Sequence, residues 1–195
     1  MKALEQGSLA LVNYIPDPLG SFLHTLRRLL PGEEDPQPHI TILPPRPLKV
    51  SMESASLHAR KILDDFSSFE VELSSVRCFP DTSYLYLDIV EGNRTLHQLH
   101  AALNAGELSH EEKFAYRPHL TIGGPVAADV LSSVQEQAEH AWRTNGSPRR
   151  FVVDEIVCLW LRPEGDSSEW RRLWSHWLSG RTGRGAAAGL TSQTS

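Results

Sequence analysis

The sequence predicts a mixed α and β fold in which helices are set between strands and each half of the chain supplies one strand of the same kind. Two observations predict it. Apolar residues recur with period two in some stretches, as on a strand, and with the three-to-four spacing of a helix in others. One short phrase also occurs twice, as Pro38-His39-Ile40-Thr41-Ile42 and as Pro118-His119-Leu120-Thr121-Ile122, each inside a period-two stretch. Residues i and i+2 of a strand share a face, so His39 lies beside Thr41 and His119 beside Thr121.

Leu9 to Ile15 forms a first strand, ended by Pro16. Asp17 is placed to cap a helix whose first position is Pro18, where a missing N–H costs nothing. That helix carries Leu19, Phe22, Leu23, Leu26, Leu29 and Leu30 as one apolar stripe and stops at Pro31-Gly32. A polar loop leads to the first motif strand, and Pro44-Pro45-Arg46-Pro47 follows it as a rigid extended segment. Ser51 begins a second helix, with Met52, Ala55, Ala59, Ile62, Leu63 and Phe66 on one side. Phe69 to Arg77 and Ser83 to Val90 are the strands of a hairpin, with Tyr84 and Tyr86 on one face of the second and Leu85 and Leu87 on the other.

Asn93 is expected to cap a helix through Leu103, and the second motif strand spans about Tyr116 to Gly123. A helix from Asp129 to Trp142 turns Val130, Leu131, Val134 and Ala138 to a core, and Phe151 to Leu161 has the pattern of one strong strand. The segment with Trp170, Leu173, Trp174 and Trp177 has helical spacing, yet the turn-like Arg162 to Asp166 before it suits two paired strands, and spacing leaves both open. Gly180 to Ser195 is rich in Gly, Ala, Ser and Thr and is expected to be a flexible tail after a domain of residues 1–179.

At 195 residues the chain can bury one substantial core or two small lobes. A net charge of −5 excludes a broad basic surface for long nucleic acid, but leaves room for a nucleotide or a short RNA end at a local basic spot. Only Cys78 and Cys158 are present, too few for a disulfide framework, so a reducing cytoplasm is the expected setting, with both thiols as buried small apolar groups. The first residues lack a signal-peptide pattern, and no apolar run approaches the roughly 20 residues a bilayer span needs. Without a heptad pattern or an obvious sticky strand, the chain is expected to be a monomer.

The repeated phrase carries chemistry. Imidazole has the side-chain pKa nearest neutrality, so two facing rings can act as base and acid on opposite sides of a phosphorus atom. A Thr two positions along points into the same cleft and can donate to a phosphoryl oxygen. This accounting needs no metal.

The paired phrases resemble the two His-x-Thr/Ser-x motifs of the 2H phosphoesterases, which include the 2′-5′ RNA ligase-like proteins and the cyclic nucleotide phosphodiesterases. Pro38 to Arg46 looks like the first motif strand of the bacterial ligase-like group, and Arg117 to Gly123 like the second; the likeness extends over roughly residues 8 to 178. It implies a bilobal α+β fold with two antiparallel sheets, helices outside and a central cleft across a pseudo-two-fold axis. It further implies that the Trp-rich closing segment is a strand. The implied activity is hydrolysis of a 2′,3′-cyclic phosphodiester on an RNA end or nucleotide, without cofactor or metal, or else the making and breaking of 2′-5′ RNA linkages. His39 and His119 would be catalytic. One departure stands out: Gly123-Gly124-Pro125-Val126 follows the second motif, where many relatives carry a cation.

Thr41 and Thr121 complete the motif pocket. Other candidates are weaker: Arg46 and Arg117 are its nearest cations, and Tyr84 and Tyr86 could stack on a base, or pack in the core with a wet hydroxyl. His97 and His100 have an i, i+3 spacing that could hold a metal, but no Cys or carboxylate cluster joins them, so a solvated helix face is expected. A plain binding module that retained the pocket, or a duplicated scaffold, are the non-enzymatic alternatives.

Overall fold

In the computed structural model of the protein, residues 7–32, 37–164 and 167–180 are described. The elements follow in the order β1 (Ser8–Tyr14), α1 (Leu19–Leu29), β2 (His39–Pro47), α2 (Met52–Leu63), β3 (Phe69–Cys78), β4 (Leu85–Glu91), α3 (Asn93–Leu103), β5 (His119–Gly123), α4 (Leu131–Thr144), β6 (Arg150–Val153), β7 (Glu155–Glu164) and β8 (Ser167–Trp177). A single 3-10 turn, Gly106–Leu108, follows α3.

The strands form two antiparallel four-stranded sheets, ordered β2-β1-β7-β8 and β5-β4-β3-β6. The first takes two strands from the start of the chain and two from its end; the second is built from the middle. In both, the motif strand is an edge strand beside the strand that precedes it through a helix, β1-α1-β2 in one and β4-α3-β5 in the other. The lobes are thus alike, and their two motif edges lie against each other.

Side-chain alternation fixes what those edges present. Ile40 and Ile42 of β2, and Leu120 and Ile122 of β5, are fully buried, while His39, Thr41, His119 and Thr121 between them are half-buried. Each buried aliphatic side chain contributes about 1.5–3 kcal/mol of burial free energy. A one-residue slip would put imidazole and hydroxyl into the apolar core, so the Ile and Leu residues hold the polar set in place.

Several local expectations change. Helix α1 begins at Leu19, with Pro18 as the residue before it; the Asp17 carboxylate accepts from the Ser21 N–H (2.9 Å) and hydroxyl (2.6 Å), and those bonds hold its pKa below the usual value. Ser51 does cap α2, accepting from the Ser54 N–H. Asn93 is not the cap of α3. That position is Gly92 at φ +78°, where a Cβ would stand 2.5 Å from the Glu70 carbonyl oxygen, so the turn requires glycine. The Asn93 amide instead donates back to the Ile89 carbonyl.

The proline segment 44–47 belongs to β2, paired with Ser8 and Leu9; prolines are tolerated there because β2 is an edge. Helix α4 leaves Val130 outside, 42% exposed, and buries Trp142. The expected strand from Phe151 to Leu161 is two strands in different sheets: the chain passes from β6 to β7 at Asp154 and changes lobes there. The Trp segment is a strand. Its helical spacing loses to the backbone of the mostly buried β7, whose peptide groups need a partner along their length. Cys158 is buried and desolvation pushes its thiol up to about 12, whereas Cys78 is only half-buried. The expected tail from residue 180 onward lies outside the described residues apart from Gly180.

Candidate active site

Thr41, His119 and Thr121 line one hollow of about 680 Å³ between the motif edges. His39 is not on its wall. It stands one strand step before Thr41, about 7 Å along the same face of β2, with its ring edge-on to Tyr14 at 6.2 Å. Tyr14 is its cross-strand partner in β1. A larger hollow of about 850 Å³, lined by Asn13, Tyr14 and Asp17 among others, includes none of the four motif side chains.

The two imidazoles are held the same way. His39 Nδ1–H donates to the Gln37 carbonyl at 2.8 Å, and His119 Nδ1–H donates to the Arg117 carbonyl at 2.6 Å. A carbonyl can only accept, so both rings carry a proton on Nδ1 and have Nε2 as their remaining basic nitrogen. The bond to the residue two positions back also fixes each ring plane relative to its strand.

Their surroundings differ. His119 is boxed by Phe79 (4.9 Å) and Tyr86 (5.6 Å), both edge-on, and these two rings stack on each other at 4.1 Å. The Arg117 guanidinium lies 5.1 Å from the Tyr86 ring centre and 3.7 Å from Asp88. Desolvation pushes the His119 pKa below the ordinary imidazole value; the Arg117 carbonyl bond and Asp88 oppose this, and the Arg117 charge adds to it.

The remaining sequence candidates divide. Tyr84 and Arg117 line the hollow with the motif residues. Tyr86 is 2% exposed and offers no face for a base; it packs the His119 ring. Arg46 is corrected most sharply. It is 1% exposed, and its guanidinium donates to the Pro44 carbonyl (3.1 Å), the Leu108 carbonyl (2.9 Å), Asn104 Oδ1 (2.5 Å) and Glu112 Oε1 (2.5 Å). Four acceptors inside the protein occupy it, so it is a brace and not a surface cation.

His100 is corrected too. It is buried, donates from Nδ1 to the Ile42 carbonyl (2.9 Å), turns Nε2 to Glu112 at 3.4 Å and stacks on Tyr116 at 3.8 Å; only His97 is on a solvated face. Among the described residues, no three His, Cys, Asp or Glu side chains converge as a metal ion would require. Nor is any described helix long and apolar enough to cross a membrane.

The missing cation after the second motif has a local reason. Gly124 has φ +120°, and a Cβ there would approach the Tyr84 Cα to 2.7 Å, while its N–H donates to the Pro31 carbonyl. The turn is too close to its neighbours for a longer side chain.

The sequence profile of the 2′-5′ RNA ligase superfamily matches residues 15–165, a span that includes both phrases and the strands that carry them. The chain belongs to this superfamily, that of the 2H phosphoesterases. Among curated proteins, one from Halalkalibacterium halodurans, provisionally named a phosphoesterase, is 32% identical over 142 residues, 66% of this chain and 77% of that protein. Another so named, from Geobacillus thermodenitrificans, is 35% identical over 101 residues, 50% of this chain and 45% of that one. Matches to three Geobacillus relatives span 45% to 66% of their lengths. The crystal structure of E. coli LigT complexed with 3′-AMP superposes with a TM-score of 0.64 at 16% identity, covering 90% of this chain and 99% of that one, a likeness of fold.

Sequence reasoning missed Phe79, Glu112 and Tyr116 as neighbours of the motif residues in this 2H fold. Phe79 sits in what the pattern marks only as a hairpin turn, and Glu112 in a charged run that looks like any solvated loop. Tyr116 carried the one available signal, an aromatic just ahead of the second phrase.

Proposed function

We propose that this 2H phosphoesterase opens 2′,3′-cyclic phosphodiesters on nucleotides or RNA ends, leaving a 2′-phosphomonoester and a free 3′-hydroxyl. The observation that carries the reading is the matched pair of imidazoles, each with Nδ1–H tied to the carbonyl two residues back, so that both offer Nε2 for proton transfer. His119 Nε2 takes a proton from the attacking water as its oxygen bonds to phosphorus. The bond from phosphorus to O3′ breaks, and His39, protonated at Nε2, gives its proton to that oxygen. Thr41 and Thr121 donate to the non-bridging oxygens, and Arg117 offsets their charge from the rim.

The assignment of His119 as base follows from its box of aromatic rings. Desolvation keeps it neutral at lower pH than an ordinary imidazole. The sign follows: the base must be unprotonated, so kcat/KM falls about tenfold per unit only as pH drops through a pKa below the ordinary 6.5. A pH–rate profile on 2′,3′-cyclic AMP checks it; an acid limb centred above 6.5 contradicts the role.

The test of the activity itself is incubation of the protein with a 2′,3′-cyclic mononucleotide and with a short RNA ending in a cyclic phosphate, chelator present, product followed by chromatography. Turnover of either supports the reading; binding of both without turnover marks a recognition module. Thr121→Val keeps shape and removes the hydroxyl. It is expected to lower kcat by about 10²-fold with the thermal midpoint little changed, since Thr121 is only half-buried.

A further inference from the structure

The segment from Ser109 to Arg117 has no regular secondary structure, yet it forms one side of the hollow: His110, Glu112, Phe114, Tyr116 and Arg117 all line it. A loop of this kind pays an ordering cost of about 1–2 kcal/mol per residue unless something holds it. Here the hold is a buried polar network. Glu112 Oε1 accepts from Arg46 and Glu112 Oε2 faces His100 Nε2; both partners are nearly closed to solvent, and Glu112 itself is 15% exposed. Arg46 also grips the Asn104 side chain and the Leu108 carbonyl, and Asn104 Oδ1 accepts the His110 N–H at the start of the segment.

At the far end, Tyr116 lies flat on His100 and its phenol donates to the Thr41 carbonyl at 2.9 Å; burial pushes that phenol's pKa up, so it stays a donor. His100 in turn donates to the Ile42 carbonyl. The loop is therefore tied to the backbone of the first motif strand directly at Tyr116, through Thr41, and indirectly near its start, through the Arg46 side chain and through His100, which is itself bonded to Ile42, while its C-terminal end runs into the second motif strand.

We infer that Glu112 and Tyr116 are positioning residues: with Arg46 and His100 they dock the loop 109–117 on β2 and so set the separation of the two motif strands and the shape of the substrate hollow. The inference rests on the proposed activity for its kinetic readout and is independent of it for its structural one. Glu112 touches no reacting atom in this account. It acts through the loop and through Thr41.

The experiment compares Glu112→Ala, Glu112→Gln and Tyr116→Phe with wild type. Glu112 is an anion on the wall of a site for an anion, so a purely electrostatic role predicts that both Glu112 variants bind phosphate compounds more tightly. Docking predicts the reverse for alanine: KM for 2′,3′-cyclic AMP rises about tenfold, kcat stays within threefold, and amide exchange in 109–117 quickens while β1 and β7 are unchanged. Glutamine restores both contacts, accepting from Arg46 through oxygen and donating to the neutral His100 through its amide, so KM returns to within about threefold of wild type. Tyr116→Phe keeps the ring on His100 and removes only the bond to Thr41; it raises KM several-fold and remains a test if the alanine variant does not fold. Unchanged loop exchange in both Tyr116→Phe and Glu112→Ala, tighter binding in Glu112→Ala, or a fall in kcat at constant KM overturns the inference. If the wild type turns over no cyclic substrate, the proposed activity fails, and the Kd of 2′-AMP with the exchange rates decides the docking role alone.

Discussion

Replacing His39 or His119 by Asn will lower kcat for a 2′,3′-cyclic nucleotide by about 10²–10⁴-fold each, the range for loss of one positioned acid or base. Asparagine is the informative choice. Its amide N–H reaches the position of imidazole Nδ1, so the bond to the carbonyl of Gln37 or Arg117 survives, and with it the local strand geometry. What is lost is the Nε2 proton site and nothing else of comparable size. The double variant will be little slower than the slower single one, because both groups act on one transition state and removing either already forfeits their joint effect. Wild-type activity will persist with chelator, since two imidazoles supply both proton transfers. Hydrolysis within about tenfold of wild type in either single variant, or hydrolysis that chelation abolishes, refutes the two-imidazole account. A stopped assay on purified variants with matched thermal midpoints is sufficient.

Much of this was legible in the chain because its chemistry is carried by local pattern. The repeat of Pro-His-apolar-Thr-Ile places polar and apolar residues on opposite faces by period two alone, and the fold keeps that alternation at His39, Thr41, His119 and Thr121. Strand partners were not legible. Nothing in Phe151 to Leu161 signals that the chain leaves one sheet for the other at Asp154, because a strand's pattern records which face is buried and not which sheet buries it. Spacing alone left the Trp segment open between helix and strand for the same reason; the strand that the resemblance implied is the one formed, its helical spacing overruled by the pairing needs of β7.

Charged residues were the other blind spot. Arg46 follows the first phrase on an edge strand between prolines, where a cation ordinarily projects into solvent, and three of its four partners are 58 to 66 positions away in sequence. Ion pairs across such distances leave no local trace.

That buried arginine yields the largest expected change in stability. Arg46→Ala removes the partner of a Glu112 carboxylate held largely away from water, and breaking such a pair on one side costs about 3–5 kcal/mol. For a protein of this size that is a fall in thermal midpoint of roughly 6–20 °C. Asn104 Oδ1 and the Leu108 carbonyl also lose a donor, which places the effect toward the upper end. Arg46→Lys recovers only part, because one ammonium with three protons cannot reach four acceptors arranged around a planar fork. Arg117→Ala is the control: its side chain is 51% exposed and its carboxylate partner is 3.7 Å away, so its removal leaves the stability within about 0.5 kcal/mol of wild type while raising KM. The two arginines flanking the motifs thus separate by readout. If Arg46→Ala raised KM and left the thermal midpoint untouched, Arg46 would be a substrate contact after all, and the docking of the 109–117 loop would need another anchor.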